Sequence, residues 1–312
     1  MPDPTVTTVP AGWALAAAAI LGLLVAFAAV VDGLLSARTA GAGPSGMTRA
    51  LGETARLVRQ RRRTTVAADT VLWRIGSSGL LFMALMIVTV VPLGQWTLFD
   101  LDVGVVWFNA MDVLAWAFVW LTGWGANSPH SLIGGYRFLA HGLAYELPLM
   151  FALVAPAVAA SSLNVGTVAA AQADLWFVVW MPVAFLVFCT GVVAIAVWGP
   201  FTPALSADIA GGVTTELSGV DRLLFQGGRY ALLAAGAAFA VPMFLGGGNG
   251  PLLPGWAWVL VKTGTLLAVF VWLRRRLPAV RPDLFMEVGW VVLLPAVLVQ
   301  DLLVAVVAVW RT

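Results

Sequence analysis

The chain has 312 residues, 61% of them hydrophobic and 10% charged, with a formal net charge of +2. Soluble domains carry about 25% charged residues, and several stretches here exceed the roughly 18 to 20 apolar residues that cross a bilayer as a helix. That composition excludes a soluble globular domain, and the single Cys189 excludes a disulfide framework and a cysteine-based metal centre within the chain.

In chain order, uninterrupted apolar runs predict an all-α integral membrane protein, one polytopic domain whose eight helices lie near 11–35, 74–98, 103–122, 138–161, 174–198, 229–247, 255–273 and 286–310. The first run has no basic flank before it and seven spans after it, so it reads as a retained helix and not a cleaved signal. The following loop carries Arg38, Arg49, Arg56, Arg59, Arg61, Arg62, Arg63 and Arg74. Within it Met47, Ala50, Leu51, Thr54, Leu57 and Val58 recur at helical spacing, which predicts an amphipathic helix lying in the membrane surface.

In an eight-span chain Arg137, Arg222, Arg229, Arg274, Arg275, Arg276 and Arg281 fall on the same side as that loop, while Asp3, Asp100, Asp102 and Asp174 fall on the other. Arginines in short loops stay cytoplasmic. Both termini are therefore expected outside a cytoplasmic (inner) membrane, with only Arg311 breaking the asymmetry. Trp96, Trp124, Trp198, Trp256 and Trp310 sit near segment ends, as an interfacial aromatic belt requires.

Asp112, His141, Glu146, Lys262 and Asp301 fall inside expected spans. Each costs about 2.5 to 3.5 kcal/mol if it meets lipid unpaired, so each is expected to face the bundle interior or a wet cavity. At 100° per residue Arg137, His141 and Pro148 lie within about 40° of one another, while Glu146 points elsewhere and needs a partner on another helix. Lys262 is read either as an ion-pair member with Asp112, Glu146 or Asp301, or as part of a proton relay. Asp301, beside Gln300, either packs against another subunit or serves transport. His141 reads as a hydrogen-bonded interior histidine; a bis-histidine haem is excluded, since His130 lies in a loop.

Several segments resemble one known family. GWGANSPHSLIGGYRFLAHGLAYE is similar to the segment of the respiratory complex I H subunit (mitochondrial subunit 1) that reads GW-A-N, a spacer, LLG-LR, and a helix ending in SYE. Gly123, Trp124, Asn127, Leu132, Gly134, Arg137, Tyr145 and Glu146 carry the match. GGVTTELSG (211–219) resembles the family's AG-HTEYSG loop, and Pro200 and Phe201 resemble the pair that opens it. VWLRRRLPAVRPDLFMEVGWVVLLP (271–295) resembles R-TLPR-R-DQLM-LGWK-LLP, GAGPSGMTRALGETARLV (41–58) resembles GP-G-LQPLADAIKLL, and Lys262 falls where the family has a membrane lysine.

The resemblance implies a membrane subunit of an NADH:quinone oxidoreductase that binds no redox centre itself and forms, with a peripheral-arm subunit, the access chamber for a lipid quinone, ubiquinone or menaquinone. FMN and iron-sulfur clusters are expected in partner subunits, among them an iron-sulfur subunit and antiporter-like subunits; no nucleic-acid partner is implied. On this reading Arg38, Trp124, Arg137, Asp208 and Glu216 are chamber and loop candidates, and Asp112, Tyr145, Glu146, Lys262 and Asp301 are proton-path candidates. Two departures bear on coupling: PFTPALSADIAGG keeps only Asp208 of a loop dense in acids, and DGLLSARTAGAGP keeps only Asp32 and Arg38 of a longer signature. Proton coupling is therefore expected to be weakened in this chain. The homologous membrane anchor of a group 4 hydrogenase or formate hydrogenlyase is the alternative, and a stand-alone transporter a more distant one.

Overall fold

A computed structural model describes residues 6–39, 41, 46–202 and 212–311. It is an all-α integral membrane protein. The helices are α1 (Ala14–Thr39), α2 (Gly46–Arg59), α3 (Thr70–Val88), α4 (Gly104–Gly125), α5 (Pro129–Ala160), α6 (Val165–Ala170), α7 (Phe177–Trp180), α8 (Pro182–Ile195), α9 (Gly219–Phe244), α10 (Gly255–Arg276), α11 (Pro282–Val288) and α12 (Leu294–Arg311). Residues Gly289–Leu293 form a π-helical segment that joins α11 to α12.

Among the described residues six helical stretches are long and apolar enough to cross a membrane: those containing α1, α3, α4, α5, α10 and α11–α12. The other two expected spans differ from simple rods. The fifth is broken at Met181, and Pro182, which has no amide proton to give, starts α8 anew. The sixth, α9, runs for 26 residues, but Asp221, Arg222 and Arg229 occupy its first turns, so its apolar part, 230–244, is short. That part is nonetheless the centre of the bundle, with Ala231 through Phe244 buried.

Boundaries shift too. The span expected at 74–98 ends at Val88, because 96–97 leave the helix to pair in parallel with Thr7–Thr8. The fourth span starts at Pro129 instead of 138, so Arg137, expected at a loop boundary, lies in the third turn of α5.

Glycines set the closest crossings. A Cβ on Gly79 would overlap the Phe118 ring, and one on Gly125 would meet the Trp73 amide at 2.6 Å, so α3 and α4 touch backbone to backbone. Gly228 admits α9 against Leu80 and Leu81 of α3 in the same way. Gly134 of α5 lies against the backbone of Gly212 and Val213, which leaves no room for a methyl group. Gly134→Ala is expected to cost about 1–3 kcal/mol by overpacking. A lower temperature of thermal inactivation for the assembled complex checks this, and an unchanged temperature refutes it.

One end of the bundle gathers the arginine-rich segments. Ser218 Oγ accepts from the Arg63 amide at 2.8 Å, Arg62 pairs with Asp221 at 3.4 Å, and the Gly219 amide donates to Gln60 Oε1 at 3.2 Å. The opposite end holds β1, the 93–97 turn and the 245–256 loop.

Candidate functional site

The densest polar construction sits where α1, α2, α9 and α10 meet. Gly33 and Gly46 bring α1 and α2 into backbone contact, since a Cβ on Gly33 would strike the Gly46 carbonyl. Beside Gly33 is Asp32, a buried carboxylate that accepts four hydrogen bonds. Arg275 donates from Nη2 at 2.6 Å and from Nε at 3.2 Å, Arg274 from Nη1 at 2.9 Å, and the Tyr230 hydroxyl at 3.1 Å. A carboxylate at membrane depth is tolerable when every lone pair is used in this way.

Trp198 forms the adjoining wall. The Arg274 guanidinium lies 4.5 Å over its ring, Arg229 lies 5.9 Å away, and Tyr230 meets it edge-on at 4.7 Å. Arg229 itself donates to the carbonyls of Ala196 and Val197. Between these groups and α2 is a cavity of about 460 Å³. At its α2 side Arg49 donates to Ser36 Oγ at 2.9 Å, and Arg56 grips Glu53 through two bonds, holding that carboxyl below its usual range. Arg49, Arg229, Arg274 and Arg275 face two acids, Asp32 and Glu53. The cavity therefore sets apolar helix surface against hydrogen-bond donors, the mixture by which small-molecule sites fix a ligand's orientation.

α2 forms as its periodicity predicts, but its apolar face divides. Leu57 is buried, while Met47, Leu51 and Val58 stand exposed. Leu57, Ala50, Glu53 and Thr54 line the cavity, and the other three point away from the bundle.

A second cluster lies deeper, between α4 and α5. Asp112 is fully buried and its carboxylate oxygens reach no hydrogen-bond partner among the described residues, whereas the Trp116 indole lies within hydrogen-bonding reach of Glu146 and of the Tyr145 hydroxyl. Asp112 and Glu146 lie within electrostatic reach of each other, Tyr145 lies within reach of both, and Gly142 seats the Trp116 indole beside them. Beside Asp112 is a cavity of about 10 Å³, close to the space one water needs. The charged group that acts on Glu146 from α4 is an acid, Asp112, and not a cation.

Lys262 corrects an expectation. Instead of an acidic partner it has three carbonyls: Nζ donates to Leu245 at 2.6 Å, Asn249 at 2.8 Å and Gly247 at 2.9 Å. Trp176 and Trp258 close the cage, their ring centres 4.1 and 5.7 Å from the ammonium. His141 matches its reading, with Nε2 3.1 Å from the Ala194 carbonyl and the ring enclosed by Phe138, Tyr145, Phe201 and Phe285.

The four described chamber candidates lie apart from the Asp32 cavity. Arg38 is exposed at the end of α1, and Trp124 is exposed and stacked on Trp120 at 5.0 Å. Arg137 lies within α5 and is partly buried, Glu216 accepts from Ser128 Oγ at 2.9 Å, and Asp208 lies outside the described residues. None of the four described ones lines the 460 Å³ cavity. Asp301 sits in α12 with both carboxylate oxygens buried, beside Gln300, which reaches the Trp180 carbonyl at 3.3 Å. Two signals in the sequence point to the cavity's own residues: Asp32 is an acid inside an apolar run, and Arg274 and Arg275 follow a span directly.

Comparison with known proteins gives the same answer for most of the chain. Residues 11–305 match the family profile described as NADH dehydrogenase. The second of the numbered NADH-quinone oxidoreductase H subunits of Geobacter sulfurreducens is 34% identical over 272 residues, 84% of this chain and 83% of that protein. The first of those of Rhodopseudomonas palustris is 34% identical, with 86% and 85% covered, and the H subunit of Geobacillus kaustophilus is 32% identical, with 86% and 82% covered. On that extent of similarity, the chain belongs to the H-subunit family of NADH-quinone oxidoreductase, a membrane component of complex I.

Proposed function

We propose that the chain forms the membrane wall of the quinone site of an NADH:quinone oxidoreductase, and that the cavity around Asp32 receives the quinone head from the bilayer. The observation that carries this reading is the 460 Å³ cavity, which sets apolar helix surfaces against the Asp32–Arg274–Arg275–Tyr230 network. In that role the unused N–H groups of the arginines orient the ring carbonyls by hydrogen bonding, Tyr230 holds the Asp32 carboxylate in place, and the amphipathic α2 forms the lip that meets lipid. Electrons arrive from iron-sulfur clusters, and ultimately FMN, in partner subunits; this chain supplies shape, donors and exclusion of water. The arginine-rich end faces the cytoplasm and the docked peripheral arm, with both termini outside, in an eight-span arrangement that counts α7–α8 and α9 as spans.

Gly227 offers a direct test, because it lines the cavity and an added side chain would meet nothing within 4 Å. Gly227→Leu is expected to raise the apparent KM for a short-chain quinone several-fold while NADH oxidation by an artificial acceptor stays unchanged. Wild-type quinone kinetics in that variant would remove the cavity from the quinone path.

Asp112, Glu146 and Tyr145 are proposed as the first proton-handling groups beneath the chamber, leading toward antiporter-like neighbours; Asp301 remains a candidate at the outer wall. Two carboxyl groups this close in a low-dielectric interior share protons as a pair. Glu146→Gln and Asp112→Asn are each expected to lower quinone reductase turnover of the assembled complex, and the double variant to lose no more than the worse single one. Multiplicative losses, or unchanged turnover and proton translocation, would leave the pair without a shared role.

A further inference from the structure

On the lipid side of α10, away from the Asp32 cavity, there is a second concavity of about 570 Å³. Its floor is one stripe of the helix, Val261, Gly264, Thr265, Ala268 and Trp272, and its side wall is Phe27 of α1. Gly264 opens the middle: a Cβ there would meet only the Phe27 ring, at 4.0 Å. Thr265, the one hydroxyl on the floor, is turned onto the Val261 carbonyl of its own helix at 2.8 Å, so the groove shows mostly apolar surface.

The groove has a polar end. Trp272, exposed, carries the Arg276 guanidinium at 5.5 Å from its ring centre, one turn further along the same stripe. Among the described residues Arg276 has no acid within ion-pair distance, whereas Arg274 and Arg275 are bound to Asp32 and Arg281 is bound to Asp283.

The geometry points to a binding site for an anionic phospholipid of the leaflet on the arginine side, one acyl chain in the groove and its phosphate on Arg276. From Leu260 to Trp272 the stripe rises about 18 Å, close to one leaflet of a hydrocarbon core about 30 Å thick. A transmembrane helix of a neighbouring subunit would need the full height of α10, yet the groove stops short of Gly255 and ends at a cation and an interfacial tryptophan. A quinone tail would need no charge at that end. The assignment of this leaflet as cytoplasmic rests on the orientation proposed above; the site itself does not.

The test uses the purified complex with phosphatidylglycerol and phosphatidylcholine that carry a photoactivatable diazirine in the acyl chain, and labelling mapped by mass spectrometry. Labelling of 260–272 and Phe27 several-fold stronger with phosphatidylglycerol is expected. In Arg276→Gln the two lipids should label equally, and Gly264→Leu, which fills the groove, should abolish labelling by both. Arg276 is exposed, so its variant keeps the test decisive if Gly264→Leu fails to assemble. Equal labelling by both lipids in the wild type, or a groove that no lipid labels because a neighbouring protein covers it, overturns the proposal. So does competition of the labelling by a long-tailed quinone. Unaltered quinone KM in Arg276→Gln would separate this site from the Asp32 cavity.

Discussion

Asp32→Ala is expected to be the most damaging single change near the cavity. The substitution removes the acceptor of four hydrogen bonds and leaves Arg274 and Arg275, with Arg229 close by, facing one another across it. Breaking a buried ion pair by deleting one partner costs about 3–5 kcal/mol. Arg274 and Arg275 keep side-chain exposures of 30% and 27%, so solvent screens part of the repulsion and the expected loss is about 3 kcal/mol. Thermal inactivation of the complex measures that loss. Asp32→Asn, which keeps the shape and a hydrogen bond from Tyr230, should recover part of the stability and little of the quinone affinity. A complex with alanine at this position that is as heat-resistant as the wild type, and that binds quinone as tightly, would show that the network is dispensable.

Lys262→Ala is expected to have the second-largest effect, for a different reason. The ammonium is the donor for three carbonyls of the 245–249 segment, and it fills the space between two indoles. Orphaned buried acceptors cost about 1–3 kcal/mol each when water cannot reach them, and cation–π contacts add about 1 kcal/mol. A loss of about 3 kcal/mol in the stability of the complex follows. Because the cage would still present three carbonyls, ammonium or methylamine in the buffer should restore a measurable part of stability and activity, and larger amines should not. If Lys262→Ala leaves stability intact and abolishes only proton translocation, the lysine belongs to the proton path and not to the loop.

How much of this was legible beforehand varies by residue. The apolar runs identified the membrane class and most spans, because burial in lipid demands long uninterrupted apolar helices, a constraint written into composition itself. The amphipathic α2 was equally legible, since Leu57 and its neighbours recur at helical spacing. His141, an isolated histidine in an apolar span, reads as a hydrogen-bonded interior group and is one. Of the two readings of Lys262 the ion pair fails, because its partners are main-chain carbonyls, which every residue possesses and no sequence pattern announces. Asp32 stayed hidden within an apolar run because its partners lie 198 to 243 positions away.

The sequence by itself determined the all-helical membrane character and the family to which the chain belongs. Only the tertiary structure decided which ionisable groups meet: Asp32 with Arg274, Arg275 and Tyr230, Asp112 with Glu146, and Lys262 with a carbonyl cage. The reason is physical. Hydropathy acts on each helix separately and survives in one dimension, whereas the pairing of charges depends on which glycines let which helices touch, and that is settled only when the bundle packs.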